Sequence, residues 1–134
     1  MSLSEEDRNT MKQHYLAKAD AMLLRADEFY AQQDYSLAAK RFYYACFHAI
    51  HALFMMDGIY AKSHEGMNVL FSQHYVKTEK VERKVGPFIT KLESLREKAD
   101  YNVIFEVTAE DLETMQPLSH ELITLIHQLL DTQI

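Results

Sequence analysis

Arg41 and His48 stand seven residues apart, two helical turns, in a stretch without glycine or proline. On a helix both project from nearly the same side. Tyr44 lies between them, and His51 follows His48 by three on the neighbouring row. An arginine can stabilise charge developing on a phosphate, and a histidine can move the proton of a ribose 2′-hydroxyl. The spacing therefore permits RNA cleavage with Arg41 and His48 as the catalytic pair. It also permits a purely structural role. An arginine in an apolar helix can pair with Asp100 or Glu97 across a bundle, and the histidines can hydrogen-bond tyrosines.

Two further groups could bind a ligand. Arg96 and Asp100 are four apart, which suits a same-face ion pair, and Tyr101 follows at the helix end. Arg96 could face a phosphate while Asp100 orients it, or the pair could simply close a corner. His64 follows Ser63, a helix-capping residue, and the positive end of a helix favours neutral imidazole there. Neutral imidazole can act as a base or stand idle at the surface. No HExxH or CxxC spacing exists, so no metal or cofactor site is expected. A glycine-rich phosphate loop and a Ser-His-Asp arrangement are equally missing. The seven methionines and the Tyr/Phe stripe read as core packing.

The elements that must hold these residues read as helices. Ser4 and Asp7 mark the start of a long first helix to about Gln32, with Tyr15, Ala19, Met22, Leu23, Ala26, Phe29 and Tyr30 on its apolar side. Asp34 can cap a second helix that Gly58 stops. That helix is apolar nearly all round, so it is either central in a bundle or shared with another subunit. Ser63 can cap a short third helix. A fourth runs from about Glu82 to Asp100, with Pro87 tolerated in its first turns. Asn102 to Val107 reads as a packed extended linker. Thr108-Ala109-Glu110-Asp111 resembles a capping box, and a fifth helix runs to about Thr132 with a kink or break at Pro117.

One domain over 134 residues is expected, large enough for a core without disulfides or metal. Only three glycines and two prolines interrupt it, which favours helices over a sheet. The single Cys46 excludes an intrachain disulfide and fits a reducing compartment. The N-terminus has no basic-then-apolar leader, and the apolar stretch from Ala45 to Met56 is too short for a bilayer. A cytoplasmic protein without membrane attachment is expected. The net charge of −6 argues against broad nonspecific binding to nucleic acid. Lys77, Lys80, Arg83 and Lys84 form the densest basic run, and a solvated loop explains them more simply than a binding patch.

Three motifs occur in order: Arg41 with Tyr43, Tyr44 and Ala45; Ser63, His64 and Gly66; and Arg96, Ala99, Asp100 and Tyr101. Together they resemble the HEPN family, and the resemblance spans about Ala17 to Leu130. It implies an all-α antiparallel bundle of about five helices, usually dimeric. Many members are encoded beside a minimal nucleotidyltransferase, often as a toxin–antitoxin pair. Active members are metal-independent ribonucleases whose signature is an arginine followed, after four to six residues, by a histidine. Near the end of the fourth helix this chain has Arg96 followed by Asp100 and Tyr101, with no histidine before the fifth helix. Arg41 and His48 meet the spacing, but on the second helix.

The resemblance thus points to a homodimeric binding protein. Its ligand would be RNA, a nucleotide or a nucleotidyltransferase partner, held by Tyr44, His51, His64, Arg96, Asp100 and Tyr101. An endoribonuclease toxin using Arg41 and His48 is the first alternative, and a scaffold bundle without a ligand is the second.

Overall fold

The computed structural model describes residues 3–101 and 106–131. Helix α1 (Glu5–Ala31) begins where the Ser4 hydroxyl accepts the Asp7 amide at 3.1 Å, and three acidic residues complement its first turn. Helix α2 (Tyr35–Asp57) begins at Asp34, whose carboxylate accepts the Leu37 amide. It ends at Gly58, left-handed at φ 71°. Ser63 caps α3 (His64–Phe71), which continues as a π-helical turn, Ser72–Val76. Helix α4 (Val85–Tyr101) starts three residues later than the sequence pattern suggests and holds Pro87 in its first turn.

The expected fifth helix is two helices, α5 (Ala109–Leu112) and α6 (Met115–Asp131). The break falls at Glu113 and Thr114, ahead of Pro117, which sits in the first turn of α6 where its missing amide proton costs nothing. Thr108 and Asp111 form the reciprocal capping box, at 3.2 and 2.9 Å. Of the expected extended linker, residues 102–105 lie outside the described residues, and Val107 is buried. The described residues contain no strand.

Helix α2 is the axis of the bundle. It packs against α1, α4 and α6, and twelve of its side chains are buried. The all-round apolar pattern is therefore used within one chain and does not by itself call for a second subunit. Ala19 and Ala26 of α1 and Ala38, Ala45, Ala49 and Ala52 of α2 are fully buried, so these two antiparallel helices can approach closely. Phe42, Ile50, Leu53 and Phe54 join Leu92, Leu122 and Ile126 in one continuous core.

Two pairs outside the sequence reading tie α6 to α1. Imidazole Nε2 of His120 lies 2.8 Å from Asp27, and that of His127 lies 2.9 Å from Asp20. Gln116 adds a hydrogen bond to Asp27 at 2.9 Å. No helix among the described residues is long and apolar enough to cross a membrane.

The core position of Leu53, fully buried, predicts a loss of about 3 kcal/mol for Leu53→Ala in urea unfolding. Leu24, 61% exposed on α1, predicts a change within about 0.5 kcal/mol for Leu24→Ala. Equal effects of the two substitutions would contradict the packing described.

Candidate functional site

The three sequence motifs converge on Tyr43. From α4, the Arg96 guanidinium lies over its ring, 5.0 Å from the centroid, and 5.9 Å from that of Tyr44. From the first turn of α3, His64 Nδ1 lies 2.7 Å from the Tyr43 hydroxyl. Burial, then the nearby Glu93 carboxylate, pushes the Tyr43 phenol pKa far up, so its proton stays on. A phenol that keeps its proton can donate to Nδ1, the arrangement of the imidazole tautomer with its proton on Nε2.

Arg96 has a side chain only 10% exposed. Its two ion-pair contacts are long, 3.6 Å to Asp100 and 3.7 Å to Glu97, and its Nε is buried without a partner. The π-face of Tyr43 thus supplies much of what a buried guanidinium requires. Asp100 makes its short contact elsewhere, with Lys40 at 2.7 Å. Tyr101 is 79% exposed and makes no ring contact with this cluster.

Arg41 does not pair with Asp100 or Glu97. Its Nη1 contacts the Met22 sulfur of α1 at 3.5 Å, and it has no carboxylate partner among the described residues. Neighbouring helix positions diverge by about 100°, so Lys40 rather than Arg41 reaches Asp100. His48 sits two turns further along α2, between Tyr15 (centroids 6.1 Å apart, stacked) and Tyr44 (6.5 Å). His51 contacts Tyr15 at 5.0 Å and Phe47 at 4.4 Å. Phe47 also stacks on His64 at 4.5 Å.

The histidines therefore meet tyrosine rings as well as one tyrosine hydroxyl. Nδ1 of His48 and of His51 is buried without a hydrogen-bond partner. Burial, with Lys18 and His51 nearby, lowers the His48 pKa to about 4. Burial, then His64, lowers that of His51.

The structure thus brings Tyr44, His48, His51 and His64 into one aromatic cluster with Arg96 at its edge. It leaves Arg41 on the flank and Tyr101 outside. Tyr15, Lys40, Tyr43 and Phe47 belong to the assembly, although sequence reasoning did not list them as site residues. Tyr43 lies within the first motif and Phe47 two residues beyond it on the same helix, whereas nothing local marks Tyr15.

No group of three or more His, Cys, Asp or Glu among the described residues could hold a metal ion. Cys46 is buried, which pushes its thiol up to about 12 and leaves it inert. In the basic run, Lys84 is paired with Glu121 and Glu82, and Lys80 lies over Tyr75.

The HEPN domain model matches residues 13–129. This chain belongs to the HEPN domain family. It is 27% identical over 105 residues to "Putative toxin MJ0142" of Methanocaldococcus jannaschii, covering 78% of this chain and 71% of that protein. It is 32% identical over 75 residues to a UPF0332 protein of Thermotoga maritima, covering 56% and 57%. It is 35% identical over 83 residues to "Putative toxin MJ0605" of Methanocaldococcus jannaschii, covering 62% of each. The chain thus spans 57–71% of the length of these relatives.

Two outcomes test the site. Between pH 6.5 and about 4 the unfolded chain takes up a proton at His48 that the folded chain refuses. This stabilising contribution is complete above pH 6.5 and is lost as pH falls toward 4. The urea midpoint of His48→Phe is expected to vary less with pH over that window than the wild-type midpoint; parallel curves would contradict the burial of His48. Tyr43→Phe is expected to cost about 1 kcal/mol and to change the tautomer balance of His64, read by imidazole ¹⁵N shifts. An unchanged His64 spectrum would refute the hydrogen bond.

Proposed function

We propose that this HEPN chain is one half of a toxin–antitoxin-like pair and acts by binding rather than by cutting RNA. Its ligand is RNA, a nucleotide or a nucleotidyltransferase partner, engaged at the cluster around Tyr44, His51, His64 and Arg96. The family match and the toxin names of two relatives support the setting.

One observation supports binding over cleavage: Arg41, the expected phosphate stabiliser, and His48, the expected proton carrier, have separate neighbours. Arg41 lies against Met22, and His48 is held between two tyrosine rings. A histidine with a pKa near 4 is a weak base and holds almost no proton at pH 7. Arg96 cannot take over with a histidine of its own, because the signature spacing of four to six intervening residues falls on Tyr101, Asn102 and Val103. The homodimer belongs to this reading on the family's behaviour alone, since α2 is already covered within one chain.

The decisive experiment incubates purified chain with mixed RNA in the absence of metal, beside Arg41→Ala and His48→Ala. RNA is expected to stay intact in all three, while the wild-type chain co-purifies with RNA, nucleotide or a co-expressed minimal nucleotidyltransferase. Cleavage by the wild type that both variants lose would replace this reading with an endoribonuclease. A chain that neither cleaves nor retains any of the three would leave only a scaffold.

A further inference from the structure

A cleft of about 550 Å³ lies between α4 and the wall made by α3 and its π-helical turn, and it shares no lining residue with the aromatic cluster. Asn68, Ser72 and Val76 follow one another along one wall, and Pro87, Lys91 and Ser94 along the other, at the three- and four-residue spacing of a helix face. The chain turns back between Val76 and Val85, so the walls run antiparallel, and a hydrogen bond from Asn68 to Glu93 pins their register.

Two local features shape the cleft. A Cβ added at Gly86 would meet nothing within 4 Å, so that end of α4 faces open space. The opposite wall is π-helical over Ser72–Val76, where the Lys77 amide donates to the Ser72 carbonyl at 2.8 Å, a rare geometry that recurs at functional sites.

The register separates an apolar end from a polar one. Val76 and Pro87 line the end near Gly86, and Phe71 and Ile89 form a buried floor. Asn68, Lys91 and Ser94 stand toward the other end, and their polar groups are not used up. Lys91 is exposed and makes no ion pair among the described residues. The Ser94 hydroxyl makes no hydrogen bond among them. Asn68 gives Nδ2 to Glu93 and leaves Oδ1 buried without a donor.

No carboxylate lines the cleft; Glu93, bound to Asn68, is not part of the lining. In a chain of net charge −6 this trough therefore carries one free cation. A single ammonium beside a hydroxyl donor balances a monoanion and leaves a phosphate dianion half-matched. From Gly86 to Ser94 the helix rises about 12 Å, which limits the apolar part of a ligand to medium length. A mostly apolar cleft with a few polar groups gathered at one end is the ordinary form of a small-molecule site.

We propose that this cleft binds a small organic carboxylate with an apolar body. The carboxylate lies at Lys91 and Ser94, and the body runs over Phe71 and Ile89 toward Pro87. The site is separate from the aromatic cluster and does not depend on what that cluster binds.

The test titrates the full chain with octanoate, octanamide and acetate, reading affinity by calorimetry and position by the Asn68 side-chain amide and His64 imidazole signals. Octanoate is expected to bind at least about tenfold more tightly than either analogue, since one lacks the charge and the other the apolar body. The Asn68 signals are expected to move and those of His64 to stay. Gly86→Leu fills the open end and should abolish octanoate binding at an unchanged or raised melting temperature. Ser72→Leu makes the same test from the opposite wall if that variant does not fold. Lys91→Gln should bring octanoate down to the affinity of octanamide.

Octanoate binding no tighter than octanamide or acetate, affinity surviving in a folded groove-filling variant, movement of the His64 signals in place of those of Asn68, or no octanoate binding would each overturn the inference.

Discussion

A buried arginine organises this bundle. Arg96 could not sit among apolar side chains unless its charge were answered, and the two carboxylates in reach are both beyond 3.5 Å. The ring of Tyr43 supplies the remaining attraction, and because that ring belongs to α2 the contact sets α4 against the central helix. Tyr43 then passes the constraint on. Its hydroxyl holds His64 at the start of α3, and Lys40, one turn earlier on α2, holds Asp100 one turn beyond Arg96. One cation thereby registers three helices, and a fourth, α1, packs separately on α2, both helices carrying fully buried alanines.

This arrangement explains why a motif rich in Arg, His and Tyr need not be a catalytic motif. Catalysis needs a guanidinium free to meet a phosphate and a histidine able to exchange a proton near neutral pH. Arg96 is committed to Tyr43 and Asp100. His48 lies against the rings of Tyr15 and Tyr44, and burial lowers its proton affinity. On the proposed binding reading, a ligand would meet the partly open rings and Arg41.

Much of the architecture was legible because its signals are local. Ser4, Asp34, Ser63 and Thr108 cap helices through hydrogen bonds to amides three residues away, and Gly58 ends α2 in a conformation that glycine adopts without strain. The break expected at Pro117 falls just before it, at Glu113 and Thr114, because proline fits the first turn of a helix as readily as it breaks an interior one. The all-round apolar α2 left two readings open, and only the packing of α1, α4 and α6 around it selects between them. At the site, the choice of Asp100's partner among Lys40, Arg41 and Arg96 depends on which way each side chain faces, which sequence spacing leaves undecided. The pairs His120–Asp27 and His127–Asp20 join residues about a hundred positions apart and leave no local trace.

The claim that Arg96 and Tyr43 hold each other is most directly tested by a double-mutant cycle in urea unfolding with Arg96→Met, Tyr43→Leu and the double variant. A guanidinium answered by the tyrosine ring predicts a coupling energy of about 1 kcal/mol or more. Effects that simply add, within about 0.3 kcal/mol, would mean that the two side chains are neighbours without mutual support, and that the carboxylates alone keep the buried arginine in place.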